Sequence, residues 1–517
     1  MASRALPTLL TLATLLAGCL GSPAPSAPAE PLAPAPPPAA PTAGVVHLLD
    51  SVAAAADVSG VLPAATGLQL PIGVSSFEPT LGVTPDGALF MSGFAPGGGL
   101  PGIGPANPTS MRSKDHGMTW EDKGPKLPTG DGNPWFTNDP YVYVDFDTGR
   151  VFQVDLYALV CSWLSYSDDQ GDTWVTNPFD CGTPLVNDHQ TVAAGPSRLA
   201  PMPVYPNVVY YCVNRVVDSA CAHSYNGGLT MSPLITVYPG VENGNVCGGL
   251  HGHVKTDHEG RVFVPKGQCG VAEVAVSEDN GLTWTRHVIS DEVHPAGHEV
   301  AVAADEANNL YALWMGSEDG LPYFAASKDH GATWSQARKA SPPGVTGADW
   351  PAIAAGADGK VAFAYVGTTI ADGYKGKDTA DSWKGATWNA YIGTISDALA
   401  DEPVVVTVTA NDPADPVARG ACGHSRCGGI GDFIDIVIDT EGRPWAAFVD
   451  VCRDKCVTDA SAANGGGIGF TGTMATGPAL RGDATELPPL APPAPVPPPS
   501  PPPRDGLAPL LAPVGTA

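Results

Sequence analysis

Basic side chains are scarce in this chain: 26 Lys and Arg stand against 53 Asp and Glu, a formal charge of −27. That balance argues against nucleic acid and anionic membrane surfaces as partners, and the need for solubility accounts for it. Long apolar runs are also wanting. The one near the start, Ala5 to Leu16, is too short to cross a bilayer, and no later stretch is long and apolar enough. No P-loop, nucleophile elbow, dinucleotide fingerprint or HExxH zinc motif occurs, so the chemistries those motifs serve have no support here.

What is present begins with an export signal. The apolar run leads into Leu16-Ala17-Gly18-Cys19, small residues ahead of a cysteine, which reads as a lipoprotein signal peptide over 1–18 with Cys19 as the lipidated residue. The expected location is extracytoplasmic, with membrane contact through the lipid alone. Residues 19–44 form a linker rich in Pro and Ala. At about 3.1 Å per residue in polyproline II form it would hold the following domain roughly 70 Å from its anchor. Residues 481–517 read as a Pro-rich disordered tail. The folded mass is then 45–480.

Eleven cysteines are present. Setting Cys19 aside leaves an even number in an exported chain, the pattern of a disulfide framework. Cys161 and Cys181 flank one predicted hairpin, Cys212 and Cys221 a second, Cys247 and Cys269 a third. Around the turn at Glu441-Gly442, Cys427 with Cys452 and Cys422 with Cys456 suit a nested pair. A swapped or a local pairing of these last cysteines stays open. Their spacings suit cross-hairpin bridges better than a zinc site.

One octapeptide, S-x-D-x-G-x-T-W, occurs four times: Ser113 to Trp120, Ser167 to Trp174, Ser277 to Trp284 and Ser327 to Trp334. A degenerate copy runs from Ser224 to Met231. The Gly takes positive φ without steric penalty, the Asp, Ser and Thr bond local backbone, and the Trp buries a large ring between strands. A longer repeat of strand, short turn and strand opens at Phe77, Asn138, Asp188, Leu250, His298, Asp349 and Asp432. Each of the first five units ends in an octapeptide or its degenerate form. Four short antiparallel strands per unit make a propeller blade. The predicted fold is therefore all-β, a seven-bladed β-propeller whose circle Leu68 to Gly73 closes as a strand. The alternative is a six-bladed ring with one unit as decoration.

The octapeptide resembles the Asp box, or BNR repeat, of the sialidase superfamily of β-propellers. In that family it is a structural hairpin on the face opposite the active site, so it speaks for fold more than for chemistry. The resemblance implies an extracellular glycan or glycoprotein as partner. It does not extend to the family's arginine triad: between residues 44 and 113 the only arginine is Arg112, and no R-I-P occurs. Arg215, Arg419 and Arg426 lie on predicted loops of the active-site face, the top, and are candidates for gripping an anion. The catalytic residues of the family have no motif-level match.

The strand openings place Glu78, Asp139, His189, His251, Glu299, Trp350 and Phe433 in one column, preceded by Asp188, His298, Asp349 and Asp432. His253 lies two residues beyond His251, on the same face of a strand. If these strands line the channel, acids and imidazoles converge at its mouth. His189, His251 and Glu299 then form a candidate divalent-metal set, although such residues also cap strand entrances. Tyr374, Lys375, Lys377, Trp383 and Lys384, on a loop of the sixth unit, suit sugar stacking or a protein interface. The expected function is recognition of extracellular glycan on the top face, with processing as a further step. The alternatives are an exo-glycosidase of sialidase type, a protein-interaction scaffold, and a metal enzyme at the channel mouth. Oligomeric state is left open.

Overall fold

The computed structural model describes residues 40–51, 64–95, 107–125, 137, 139–157, 159–181, 186–200, 204–215, 217–370, 386–420, 430–459 and 467–490. These form a seven-bladed all-β propeller of antiparallel blades, most of them four-stranded. The innermost strands run Phe77–Val83, Tyr141–Val144, Asn187–Pro196, Lys255–Thr256, Pro295–Ala304, Gly347–Ala355 and Asp435–Ile438. From the innermost strand outward, the first four strands of most blades each pair with their predecessor in sequence, as tight hairpins dictate.

The ring is closed by the beginning of the chain. Thr66–Pro71 pairs antiparallel with Ile468–Thr476, in register from Gly67 opposite Met474 to Pro71 opposite Phe470, and so becomes the fourth strand of the seventh blade, with Thr42–Ala43 paired outside it. Val45–Leu48 adds a further outer strand to the sixth blade, with Val45 opposite Thr407. Both additions cover edges that would otherwise present unpaired backbone groups. At the other end, residues 481–490 pack back on the ring, where Arg443 donates to the carbonyl of Pro488 and Leu487 N to the carbonyl of Gly477.

Each octapeptide lies between the third and fourth strands of one of the first five blades. In the first, Ser113 Oγ accepts from Gly117 N at 2.9 Å, and Asp115 accepts from Thr119 N at 2.8 Å and Thr119 Oγ1 at 2.6 Å. The network repeats at Asp169, Asp279 and Asp329. In the degenerate copy Asn226 keeps the backbone contact and reverses the other, its Nδ2 donating to Thr230 Oγ1 at 2.8 Å. The glycine holds φ between 77° and 90° in all five copies, where a Cβ is disfavoured. Apolar faces of adjacent blades fill the space between them: Val208, Tyr210, Val262 and Val264 of the third and fourth blades pack as one cluster.

Three disulfides join Cys161 to Cys181, Cys212 to Cys221 and Cys247 to Cys269. The nested arrangement expected for the last four cysteines does not form. Cys452 bonds instead to Cys456, because the chain folds back on itself there: Cys456 N donates to Arg453 O at 3.0 Å, and a short helix, Lys455–Thr458, follows. Cys422 and Cys427 lie outside the described residues, as do Cys19, Arg426, Tyr374, Lys375, Lys377, Trp383, Lys384 and the side chain of His298.

Candidate functional site

The channel mouth is built by a recurring irregularity. Pairing of the innermost strand with the second strand loses register between Phe77 and Thr80, Asp188 and Thr191, Pro295 and Val300, and Asp349 and Ala352. Three of these bulges hold a non-glycine residue at positive φ: Glu78 at 49°, His189 at 51° and Trp350 at 57°. Each such residue costs about 1–2 kcal/mol. A bulge re-aims its side chain out of the regular pleat, and here the strain recurs at one height around the axis.

His189, His253 and Glu299 meet at this height, each offering one ligand atom within 4.8 Å of the others. All are buried. His189 Nε2 is 2.9 Å from Glu299 Oε1, an ion-pair contact between two buried side chains. His189 Nδ1, His253 Nε2 and His251 Nε2 are buried without a hydrogen-bond partner. Phe433 closes against the rings of His189 and His253 edge-on, at 4.8 and 5.4 Å between centroids, and Tyr141 meets His253 at 5.0 Å. Donor atoms left unpaired in a buried site are expensive. A divalent cation would satisfy them, and the triad is positioned to coordinate one.

The metal set expected from the sequence therefore changes by one residue. His251 stands beside His189, 5.4 Å between ring centroids, but His253 supplies the grouped donor. The reason is local. The fourth blade's innermost strand begins only at Lys255, and His251 makes no more than an isolated bridge to Lys266. Its Nδ1 is tied to the carbonyl of Gly252 at 2.7 Å.

Charge around the centre favours a cation. Burial alone would lower the His189 pKa, but Glu299, then Asp139 and Asp188, outweigh it and raise it to about 9. Burial, with the charge of His189 behind it, holds His251 far below its ordinary value and therefore neutral. Asp188 is pushed up to about 8 by burial and by Asp139. Asp139 goes the other way: burial raises it, but hydrogen bonds from Glu78 and Asp188 and the charge of His189 win. Asp139 also accepts the backbone N–H of His189 at 2.8 Å. Glu78 accepts from Asp432 N at 3.1 Å, so the first and seventh blades join there. Asp349 turns to its own neighbour, accepting Trp350 N at 3.0 Å.

The arginines take other partners. Arg215 forks onto Asp218 with two contacts of 2.7 Å, and Arg419 donates to the carbonyls of Cys456 and Val457 at 2.5 and 2.7 Å. Asp435 escaped the sequence reading. It sits 3.5 Å from His253 Nδ1 across the channel. Its position two residues beyond Phe433, on the same strand face, is the signal that marks it. Beyond Asp435 the channel opens into a cavity of about 190 Å³ lined by Leu81, Tyr141, Lys255, Ile353 and Arg481.

No protein-family model matches the chain, and no curated protein matches it. Solved structures with a similar chain path include a Hadza microbial sialidase, at 16% identity over 77% of this chain and 65% of that one, TM-score 0.36. The intramolecular trans-sialidase of Ruminococcus gnavus is similar at 15% identity over 78% and 94%, TM-score 0.37. An α-L-arabinanase of Penicillium chrysogenum is similar at 13% over 73% and 100%, TM-score 0.35. The chain spans just under two thirds of the first of these, and no chemistry is carried over from any of them.

Proposed function

We propose that this protein is exported, anchored through Cys19, and recognises extracellular glycan at its channel mouth with the help of a divalent cation. The observation that carries the cation is the convergence of His189, His253 and Glu299 within 4.8 Å, with unpaired donor atoms in a buried, carboxylate-rich mouth. Three protein donors leave coordination positions open, and sugar hydroxyls are oxygen donors that fill such positions. Disulfides support an oxidising compartment. The octapeptide resemblance supports glycan as the ligand class. Sialidase-type hydrolysis is the weaker reading, because Arg215 and Arg419 are committed to Asp218 and to backbone carbonyls. Binding of the mature chain to a glycan array, before and after chelation and after metal is restored, tests this proposal. Binding that chelation abolishes and metal restores is the expected result. Binding indifferent to chelation removes the cation from the reading, and a metal-loaded protein that binds no glycan removes the glycan.

A second reading, a protein-docking face, is favoured by one observation. Tyr157, Val160, Val186, Val217, Val241 and Val246 are exposed on mouth-side connections of the second to fourth blades, Val246 to 84%. Apolar exposure of this kind marks interaction surfaces.

A further inference from the structure

The cation that fits the mouth can be named by class, and a residue that orients its ligand can be named with it. This inference rests on the proposed cation centre, not on the glycan. His253 has two ring nitrogens with different surroundings. Nδ1 faces Asp435 Oδ1 at 3.5 Å, while Nε2 is buried with no partner. A proton on Nδ1 satisfies the carboxylate and leaves the lone pair on Nε2. Asp435 is itself held rigidly: Oδ1 accepts Ile436 N at 2.9 Å and Oδ2 accepts Leu81 N at 3.2 Å. Carboxylate, imidazole and metal in a row is the usual way a protein fixes a ligating histidine. His251 repeats the device with a backbone carbonyl in the carboxylate's place, since Nδ1 contacts Gly252 O at 2.7 Å and Nε2 is unpartnered.

The neighbourhood is thus rich in imidazole nitrogen, with Glu299 as the one carboxylate in the converging triad. Calcium and magnesium take oxygen ligands, whereas imidazole suits first-row transition metals. We propose that the centre of His189, His253 and Glu299 selects a first-row transition metal over calcium and magnesium, and that Asp435 is a positioning residue that sets the tautomer of His253.

The test uses the full mature chain and measures affinity for Co(II), Zn(II), Ca(II) and Mg(II) directly, with no glycan present. One Co(II) or Zn(II) per chain is expected, bound more tightly than either alkaline-earth ion. Asp435→Asn should weaken Co(II) binding by about 10- to 100-fold and shift the visible absorption of the bound ion. His253→Gln should lose that binding. Asp439→Asn is the control. Asp439 is a buried carboxylate of the same blade that accepts Trp445 Nε1 at 2.8 Å, away from the centre, and its loss should leave the Co(II) affinity and spectrum unchanged. Calcium affinity equal to or above that for Co(II) overturns the class assignment. An Asp435→Asn protein with native Co(II) affinity and spectrum overturns the positioning role. Tight transition-metal binding without glycan binding would sink the functional reading and leave this one standing. Absence of any metal binding would sink this one even if glycan still bound.

Discussion

Asp155 offers a test of the electrostatics that involves no ligand. It lies on the second strand of the second blade, buried to 1% exposure, with Gln153 Nε2 3.3 Å from Oδ1 and no partner for Oδ2. Burial raises its pKa from 3.8 to about 7, and the hydrogen bonds of Gln153 and Thr137 offset this only in part. Between roughly pH 4 and pH 7 the folded chain therefore keeps a proton that the unfolded chain has released. Stability falls as pH rises through that window and levels off above it. A gap of about 3 on the pH scale, at about 1.4 kcal/mol per unit, amounts to roughly 4 kcal/mol lost by pH 8. Asp155→Asn preserves the volume and an acceptor for Gln153 while removing the ionisation. Urea unfolding of both proteins from pH 4 to pH 8 measures the difference. Asp450, also raised to about 7, contributes equally to both curves, so the difference isolates Asp155. The variant should match the wild type within about 1 kcal/mol at pH 4 and exceed it by roughly 2–4 kcal/mol at pH 8. Parallel curves across the range would refute the argument.

Three further substitutions probe the ring. Gly431→Ala faces a left-handed φ of 95° and a Cβ only 2.2 Å from Glu78 Cγ, whereas Gly281→Ala faces a φ of 80° with its nearest neighbour at 3.5 Å. Thermal unfolding should show a loss of about 1–2 kcal/mol for Gly281→Ala and a clearly larger one for Gly431→Ala, and equal losses would mean that the crowding at the mouth is not real. Leu70→Ala empties a site 1% exposed on the closing strand and should lower stability by about 2–5 kcal/mol; a loss under about 0.5 kcal/mol in denaturant unfolding would mean that this strand does not hold the ring shut.

The seven units, the closing strand and the hairpin octapeptides are legible in the chain because each is a local pattern with a local cause. Ser113, Asp115, Gly117 and Thr119 contain the whole of their turn, so the spacing of the residues is the structure. Three disulfides are legible for the same reason, since a hairpin brings its flanking cysteines together. Cys452 and Cys456 were not, because a fold-back at Arg453 competes with the longer-range pairing and nothing in the spacing decides between them.

The site is legible only in part. Ring symmetry carries equal positions of successive units to one height on the axis, which is why Glu78, His189 and Glu299 could be aligned from sequence. Which imidazole of His251 and His253 joins them depends on where the fourth blade's strand begins to pair, a matter settled by packing between blades. Asp435 belongs to His253 only because the seventh blade faces the fourth across the channel, and Arg215 and Arg419 are taken from the mouth by Asp218 and by two carbonyls. The periodicity of the chain determined the ring and the residue types at its mouth. Only closure of the ring decided which of those residues touch, because a contact across the axis joins segments that no local pattern connects.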